Sequence, residues 1–304
     1  MYPVNKYGRL NGLLLLMLWI GVNRIAWSAP ITFNTALPVA KNEFIFRQQF
    51  VVNQSGHDPS HSDRDRTAWS AVSVLGYGVS SKLALFGVLP YVNKSLDITV
   101  SGQSFNRQSD GLGDVSLFGR YTAYKKDWPG RTLRIAPFAG FKAPTGADDA
   151  SDNSGRLPPN VQPGSGSWDA FGGIVTSYQT LDYEVDGQIS YRGNGTANSF
   201  SAGDMANLDA SLQYRLWPRT VSSNGSGFLY GVFESNLSFQ QKNRINSQVD
   251  HNSGGIRWFL TPGLQYVTQR WVIETAVQIP VVQQLNGTAL ENDFIVRTGF
   301  RFNF

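Results

Sequence analysis

Three histidines, His57, His61 and His251, are the only imidazoles in this 304-residue chain. Hydrolysis on a β wall needs a Ser or Asp nucleophile with such a base within hydrogen-bond reach. All three histidines fall in segments without strand patterning, so no wall position offers the pair. That argues against a histidine-dependent hydrolase and leaves carboxylate-only chemistry open; an enzyme is not expected. Two of the histidines share the run Gly56-His-Asp-Pro-Ser-His-Ser-Asp-Arg-Asp-Arg66 with three aspartates. Imidazole nitrogens and carboxylates can hold a metal. Pro59 between the histidines, and the lack of any fixed periodicity, favour a solvated polar loop. Neither a metal nor a cofactor is expected.

The other charged residues recur with a period of two. Arg47, Arg120, Arg134, Lys142, Arg192, Arg215, Arg257, Arg297 and Arg301 fall on the same strand faces as Asp114, Glu184, Asp186, Asp209, Glu234, Glu274 and Asp293. The opposite faces are apolar. In Tyr183–Arg192, Val185, Gly187, Ile189 and Tyr191 alternate with Glu184, Asp186, Gln188 and Ser190; Leu208, Ala210, Leu212, Tyr214 and Leu216 oppose Asp209, Ser211, Gln213 and Arg215. Period-two alternation means strands with one oily and one wet face.

The clearest of these strands is Asp293–Phe304, with Phe294, Val296, Thr298, Phe300, Phe302 and Phe304 on one side. A soluble edge strand of this kind would invite aggregation unless blunted by charge or proline, and nothing blunts it. A barrel in lipid has no edge and satisfies its own backbone. Twelve strands are expected, at 43–53, 67–79, 83–92, 113–124, 132–142, 168–179, 183–193, 205–216, 228–239, 256–267, 271–283 and 293–304. Connections after odd strands are long and those after even strands mostly short, which is the layout of an antiparallel outer-membrane barrel. Trp69, Trp128, Trp168, Trp217, Trp258 and Trp271 all fall near strand ends, three at each end, as an aromatic girdle requires. Pro137 and Pro262 break the pattern in mid-strand. Each marks a bulge or a shortened strand, and shortening would leave ten strands.

Composition agrees with an all-β transmembrane barrel. The chain has no cysteine, 31 glycines, 13% aromatic and only 16% charged residues, so its stability must come from one large sheet rather than disulfides. A net charge of +4 from scattered basic residues gives no case for nucleic acid. Lys6 and Arg9 precede the apolar run Leu13–Val22, too short to span a bilayer as a helix. This reads as a cleaved signal peptide over residues 1–28, cut after Ser28; a membrane anchor is the alternative, weakened by Asn23 and Arg24. Residues 29–42 then form a periplasmic N-terminal tail or, less simply, a plug, and residues 43–304 the barrel. Expected surroundings are outer-membrane lipid and lipopolysaccharide, whose phosphates or bridging divalent ions the Asp and Arg residues of the first long loop could equally contact. Phe304 resembles the terminal aromatic that the barrel-assembly machinery reads.

A spacing of ~4.8 Å and a tilt of ~40° put the backbone radius of twelve strands at roughly 12 Å. Side chains take about half of that, and interleaved charge signs suggest cross-lumen ion pairs rather than ion selectivity. Gly111-Leu-Gly-Asp-Val-Ser-Leu-Phe-Gly-Arg-Tyr121, Phe141-Lys-Ala-Pro-Thr-Gly146, Gly164-Ser-Gly-Ser-Trp-Asp169 and Ser81–Tyr91 together resemble the bacterial outer-membrane family of the meta-pathway of phenol degradation. The resemblance covers most of residues 67–304. It implies an outer-membrane barrel that moves small, often aromatic or hydrophobic, compounds inward, and it carries over no catalytic residues. The glycines suit tight passages from loop to strand, with Asp114 and Lys142 pointing inward near the outer mouth. The alternative is a closed structural or adhesion barrel that acts through its outer loops.

Overall fold

The computed structural model describes residues 27–219 and 227–304. The apolar stretch of the expected signal peptide lies outside the described residues. Twelve wall positions close into one antiparallel barrel: β1 (Phe44–Ser55), β2 (Asp65–Gly78), β3 (Leu83–Val100), the interrupted pair β5 (Ser116–Tyr121) and β6 (Tyr124–Trp128), β7 (Arg131–Lys142), β10 (Asp169–Thr180), β11 (Tyr183–Gly193), β14 (Met205–Trp217), β15 (Phe228–Gln240), β18 (Gly255–Val267), β19 (Trp271–Leu285) and β20 (Phe294–Asn303). Shorter strands stand at the loop end: β4 (Gln103–Leu112), β8 (Ser151–Asp152), β9 (Gly155–Arg156), β12 (Thr196–Ala197), β13 (Phe200–Ser201), β16 (Arg244–Ile245) and β17 (Gln248–Val249). Wall strands pair with their sequence neighbours, and β1 pairs with β20 from Ile45↔Asn303 to Gln54↔Phe294 to close the ring.

The alternation decides what each face meets. On β14, Leu208, Leu212, Tyr214 and Leu216 are exposed while Asp209, Ser211, Gln213 and Arg215 are buried. The same holds around the ring, so the outside is a continuous apolar belt, which only lipid can cover. Trp69, Trp168 and Trp258 stand near the loop end of their strands and Trp128, Trp217 and Trp271 near the turn end. Asp293 departs from the expected inward row: it lies exposed, just before β20.

Two regions differ from the sequence reading. The expected loop 93–112 is instead a hairpin, β3 running on to Val100 and β4 returning from Gln103. Its turn, Ser101-Gly102, has φ of 50° and 78°. Two positive φ values match the twist of a tight hairpin. The fourth wall strand, expected over 113–124, is split at Thr122-Ala123, opposite Pro137. β5 pairs with β7 only as far as Phe138 and β6 only from Ile135. Pro137 has no N–H to offer the ladder, so the neighbouring strand breaks there rather than β7. Pro262 is absorbed likewise: β18 runs through it, and its pairing with β19 skips Thr261 and Pro262. The one register shift between these strands falls between Trp258 and Phe259, beside Pro280. All twelve positions survive the prolines.

Residues 28–40 run inside the barrel, below its middle, rather than trailing under it. Ile31, Ala36 and Val39 are buried, Val39 against Ala84 and Phe86 of β3. The segment returns to the turn end where Asn42 N donates to Gly78 O at 2.7 Å. It has no ladder of its own, so the inward side chains of the wall must satisfy its backbone.

A lumen occluded at two levels

The lower obstruction is the N-terminal segment. Glu234 of β15, fully buried, accepts from Ile31 N at 2.6 Å, Thr32 N at 3.1 Å and Thr32 Oγ1 at 2.5 Å. Ile31 O accepts from Arg47 Nη2 at 2.7 Å and Gln49 Nε2 at 2.8 Å, while Arg47 Nε reaches Glu274 Oε1 at 2.8 Å. On the far wall Arg120 forks onto two carbonyls, Thr35 O and Leu37 O, both at 2.6 Å. Ser177 Oγ accepts from Ala36 N at 2.7 Å, and Gln188 Oε1 from Asn34 N at 3.4 Å. Charged groups buried in this way are stable because each meets several donors or acceptors.

The upper obstruction is the β7–β10 connection, folded against the inner side of the β3–β4 hairpin. Leu157 and Val161 bury against Leu96. Gln162 Nε2 donates to Ala150 O and Leu157 O at 2.9 Å, and Lys94 Nζ donates to Gln162 O at 2.5 Å. Below it the three glycine-rich motifs converge on one clamp. Asp114 accepts from Gly146 N at 3.0 Å, Ser165 N at 2.9 Å and Ser165 Oγ at 2.7 Å, and Lys142 Nζ stands 3.1 Å from Asp114 and 2.6 Å from Asp169. Gly195 N donates to Asp169 Oδ1 at 3.0 Å. Glycine is required where these passages cross, since a Cβ on Gly146 would sit 2.8 Å from Gly164 Cα.

Between the two levels an oblique band of aromatic rings crosses the inner wall. Phe86 of β3 stacks on Phe118 of β5 with centroids 4.7 Å apart, and Phe118 meets Phe138 and Phe171 edge-on at 6.3 and 6.0 Å. Arg120 lies over Phe86 at 4.9 Å and Arg192 over Phe171 at 5.5 Å, one cation at each end. Gly140 makes the room: its Cβ would sit 2.4 Å from that of Phe118. The band joins a central cavity of about 440 Å³, bordered by Asn34, Phe138, Phe171 and Arg192, to a lower one of about 420 Å³, bordered by Phe33, Leu37, Phe86 and Phe118. A cavity of about 520 Å³ at the outer mouth shares Arg192 with the central one.

The other inward charges divide by height. Arg134 pairs with Asp127 at 2.5 Å, and Arg215 pairs with Asp182, both at the turn end and away from the segment. Asp209 accepts from Asn236 at 3.0 Å and Gln188 at 3.3 Å; Arg297 donates to Gln278 at 2.8 Å; Arg257 reaches Gln240 at 3.4 Å; Arg301 donates to Trp27 O. Glu184 and Asp186 lie buried near Ser28. Sequence reasoning placed Gln188 on the inward face but passed over the neutral partners Gln49, Ser177, Asn236 and Gln265, and all four band phenylalanines. Their signal was register: Phe118 is two residues from Arg120 and Phe171 two from Asp169, on the same inward faces. The histidines stay out of the lumen, His57 O accepting from Glu291 N at 3.1 Å and His251 Nδ1 standing 3.2 Å from Lys242 Nζ. Among the described residues no cluster of His, Cys, Asp or Glu is arranged to hold a metal.

Residues 33–290 match the family described as “Putative MetA-pathway of phenol degradation”. The chain belongs to this family. The family match begins within the luminal segment and extends past β19. An outer membrane channel from Pseudomonas putida F1 has a similar structure over 91% of this chain and 100% of that one, with a TM-score of 0.65 at 13% identity, a likeness of fold. The β domain of a Bordetella autotransporter follows at 12% identity over 86% and 99% of the two chains, with a TM-score of 0.48. No curated protein sequence matches. Family, closed barrel and apolar belt together make this a transmembrane β-barrel of the bacterial outer membrane.

Proposed function

We propose that the protein admits small organic compounds, aromatic or hydrophobic ones among them, by diffusion through this lumen. The aromatic band carries the reading. Four phenylalanines stand in a lumen otherwise lined by Arg, Asp, Glu, Gln and Ser; with Ala36 and Val39 of the segment moved off Phe138 and Phe86, they offer ring faces to a passing solute, and Arg120 and Arg192 offer a cation to any acidic substituent. The three cavities are each of small-molecule size. Passage requires the N-terminal segment to shift. In this reading Phe304 serves the barrel-assembly machinery, and the Asp and Arg residues of the outer loops meet lipopolysaccharide phosphates or bridging divalent ions.

The test is conductance in planar bilayers, together with entry of a small aromatic compound into liposomes, for the refolded barrel with and without residues 29–42. The full-length form should conduct weakly and the shortened form steadily. Phe118→Ala should slow aromatic entry severalfold more than it lowers ion conductance. Silence of both forms, with no solute entry, would refute the channel. It would leave a closed barrel working through its outer loops, the reading that the knitted mouth favours.

A further inference from the structure

Where the N-terminal segment begins, the lumen holds a knot of acceptors short of a donor. Glu184 and Asp186 of β11 are each 1% exposed and lie within hydrogen-bonding reach of each other. Glu184 Oε2 accepts from Ser28 Oγ at 3.1 Å and Gln179 Nε2 at 2.9 Å, and Asp186 Oδ1 from Ser177 Oγ. Glu184 Oε1, Asp186 Oδ2 and the neighbouring Gln213 Oε1 are buried with no donor at all. Burying two carboxylates so is costly unless they share a proton or a cation with several N–H groups reaches them. Of the nearby guanidinium groups, Arg47 is engaged with Glu274 and Ile31 O, whereas Arg301 donates to Trp27 O, which leaves with the signal peptide, so Arg301 is the competing cation.

We infer that this knot is the seat of the α-ammonium of Ala29, released when the signal peptide is cut after Ser28. Hydrolysis of that peptide bond by water leaves a carboxylate on Ser28, which departs, and an ammonium on Ala29, which stays. The Ala29 nitrogen is already in the lumen, donating to Gln265 Oε1 at 3.2 Å. Covalent geometry keeps it within about 5 Å of the Ser28 hydroxyl that touches Glu184. As a peptide N–H it offers one donor; as an ammonium it offers three and a positive charge. Departure of Ser28 frees its place on Glu184. The end of the mature chain then occupies a site that the uncut chain leaves short of charge, so docking of the segment depends on where the chain is cut. This holds for any solute the lumen takes.

The first measurement is intact mass and N-terminal sequencing of protein from outer membranes, which should begin at Ala29; another start overturns the proposal. The second is acylation of the α-amine by an N-hydroxysuccinimide ester at neutral pH, with exposed Lys125 as internal reference. In the folded barrel the amine should react at least about tenfold more slowly than in the denatured chain, because its charged form is held by carboxylates. Glu184→Gln, and separately a refolded chain that begins at Ser28, should each lose most of that protection. The Ser28 form keeps every wall residue and so carries the test if Glu184→Gln fails to fold. Equal labelling of folded and denatured protein overturns the proposal. So does protection that survives both changes but is lost in Arg301→Gln, which would give the knot to Arg301. Solute flux enters none of these readouts, so failure here is distinguishable from failure of the channel reading.

Discussion

The two obstructions of the lumen are made of different contacts. At the outer mouth, Asp114, Lys142 and Asp169 join backbone to wall within a set of loops that also pair with one another, and both carboxylates of the clamp meet donors. At the inner level an extended segment lies across the lumen, held at Glu234, Arg47, Arg120 and Ser177 by wall side chains that grip its backbone one residue at a time. Contacts to backbone tolerate many sequences, and releasing the segment exposes no ladder. The outer layer is therefore built into the fold, whereas the inner one is expected to leave with the barrel intact.

Removing residues 29–42 should have the largest effect, raising single-channel conductance on the order of tenfold while the folded barrel keeps its resistance to detergent. Loss of the barrel itself would mean that the segment is core, and the contrast would fall. Glu234→Ala comes next. It deletes the three hydrogen bonds that the segment makes to this acceptor, worth about 2–3 kcal/mol together after relaxation, along with one from Ser211 Oγ, and should speed amide exchange at Ile31 and Thr32 by a comparable Boltzmann factor. Asp114→Asn should loosen the outer clamp by about 1–2 kcal/mol, read as faster exchange at Gly146 and Ser165 with Ile31 unchanged. A response at Ile31 would show the two levels to be coupled.

The smallest effect concerns acid. In the β1–β2 loop burial raises the Asp58 pKa, but hydrogen bonds from Arg64 and Ser60 outweigh it and hold the carboxyl well below the usual range. A depressed folded pKa contributes stability that is complete above the unfolded value of about 4 and is lost only as pH falls toward the folded one. Exchange at Ser60, Ser62 and Arg64, all donors to Asp58, should thus not differ between pH 7 and pH 5 beyond the intrinsic rate, while Asp58→Asn should speed it at both.

The barrel was legible because period two is a property of single residues and their neighbours. Arg120 could be placed inward from Leu117 and Tyr121 alone. Its partners could not be read, because Thr35 and Leu37 offer only carbonyls, which every residue has, and residues 29–42 carry no periodicity. The same limit hid the β3–β4 hairpin: residues 93–112 are polar beyond the membrane, so the alternation that marks a strand in lipid fades although the pairing continues. Pro137 was visible as a difficulty, but not its resolution, which lies in a break on the neighbouring strand at Thr122-Ala123.

The seam between β1 and β20 has a consequence for assembly. Phe44 N donates to Phe304 O at 2.7 Å and Phe304 N to Phe44 O at 2.9 Å, so the ring is sealed by its first and last wall strands. The luminal segment runs directly into β1, at the side of that seam. The vessel can be packed without breaching its wall: the segment is a chain end that joins β1 at the open turn end, so it can lie in the lumen before or after β20 arrives.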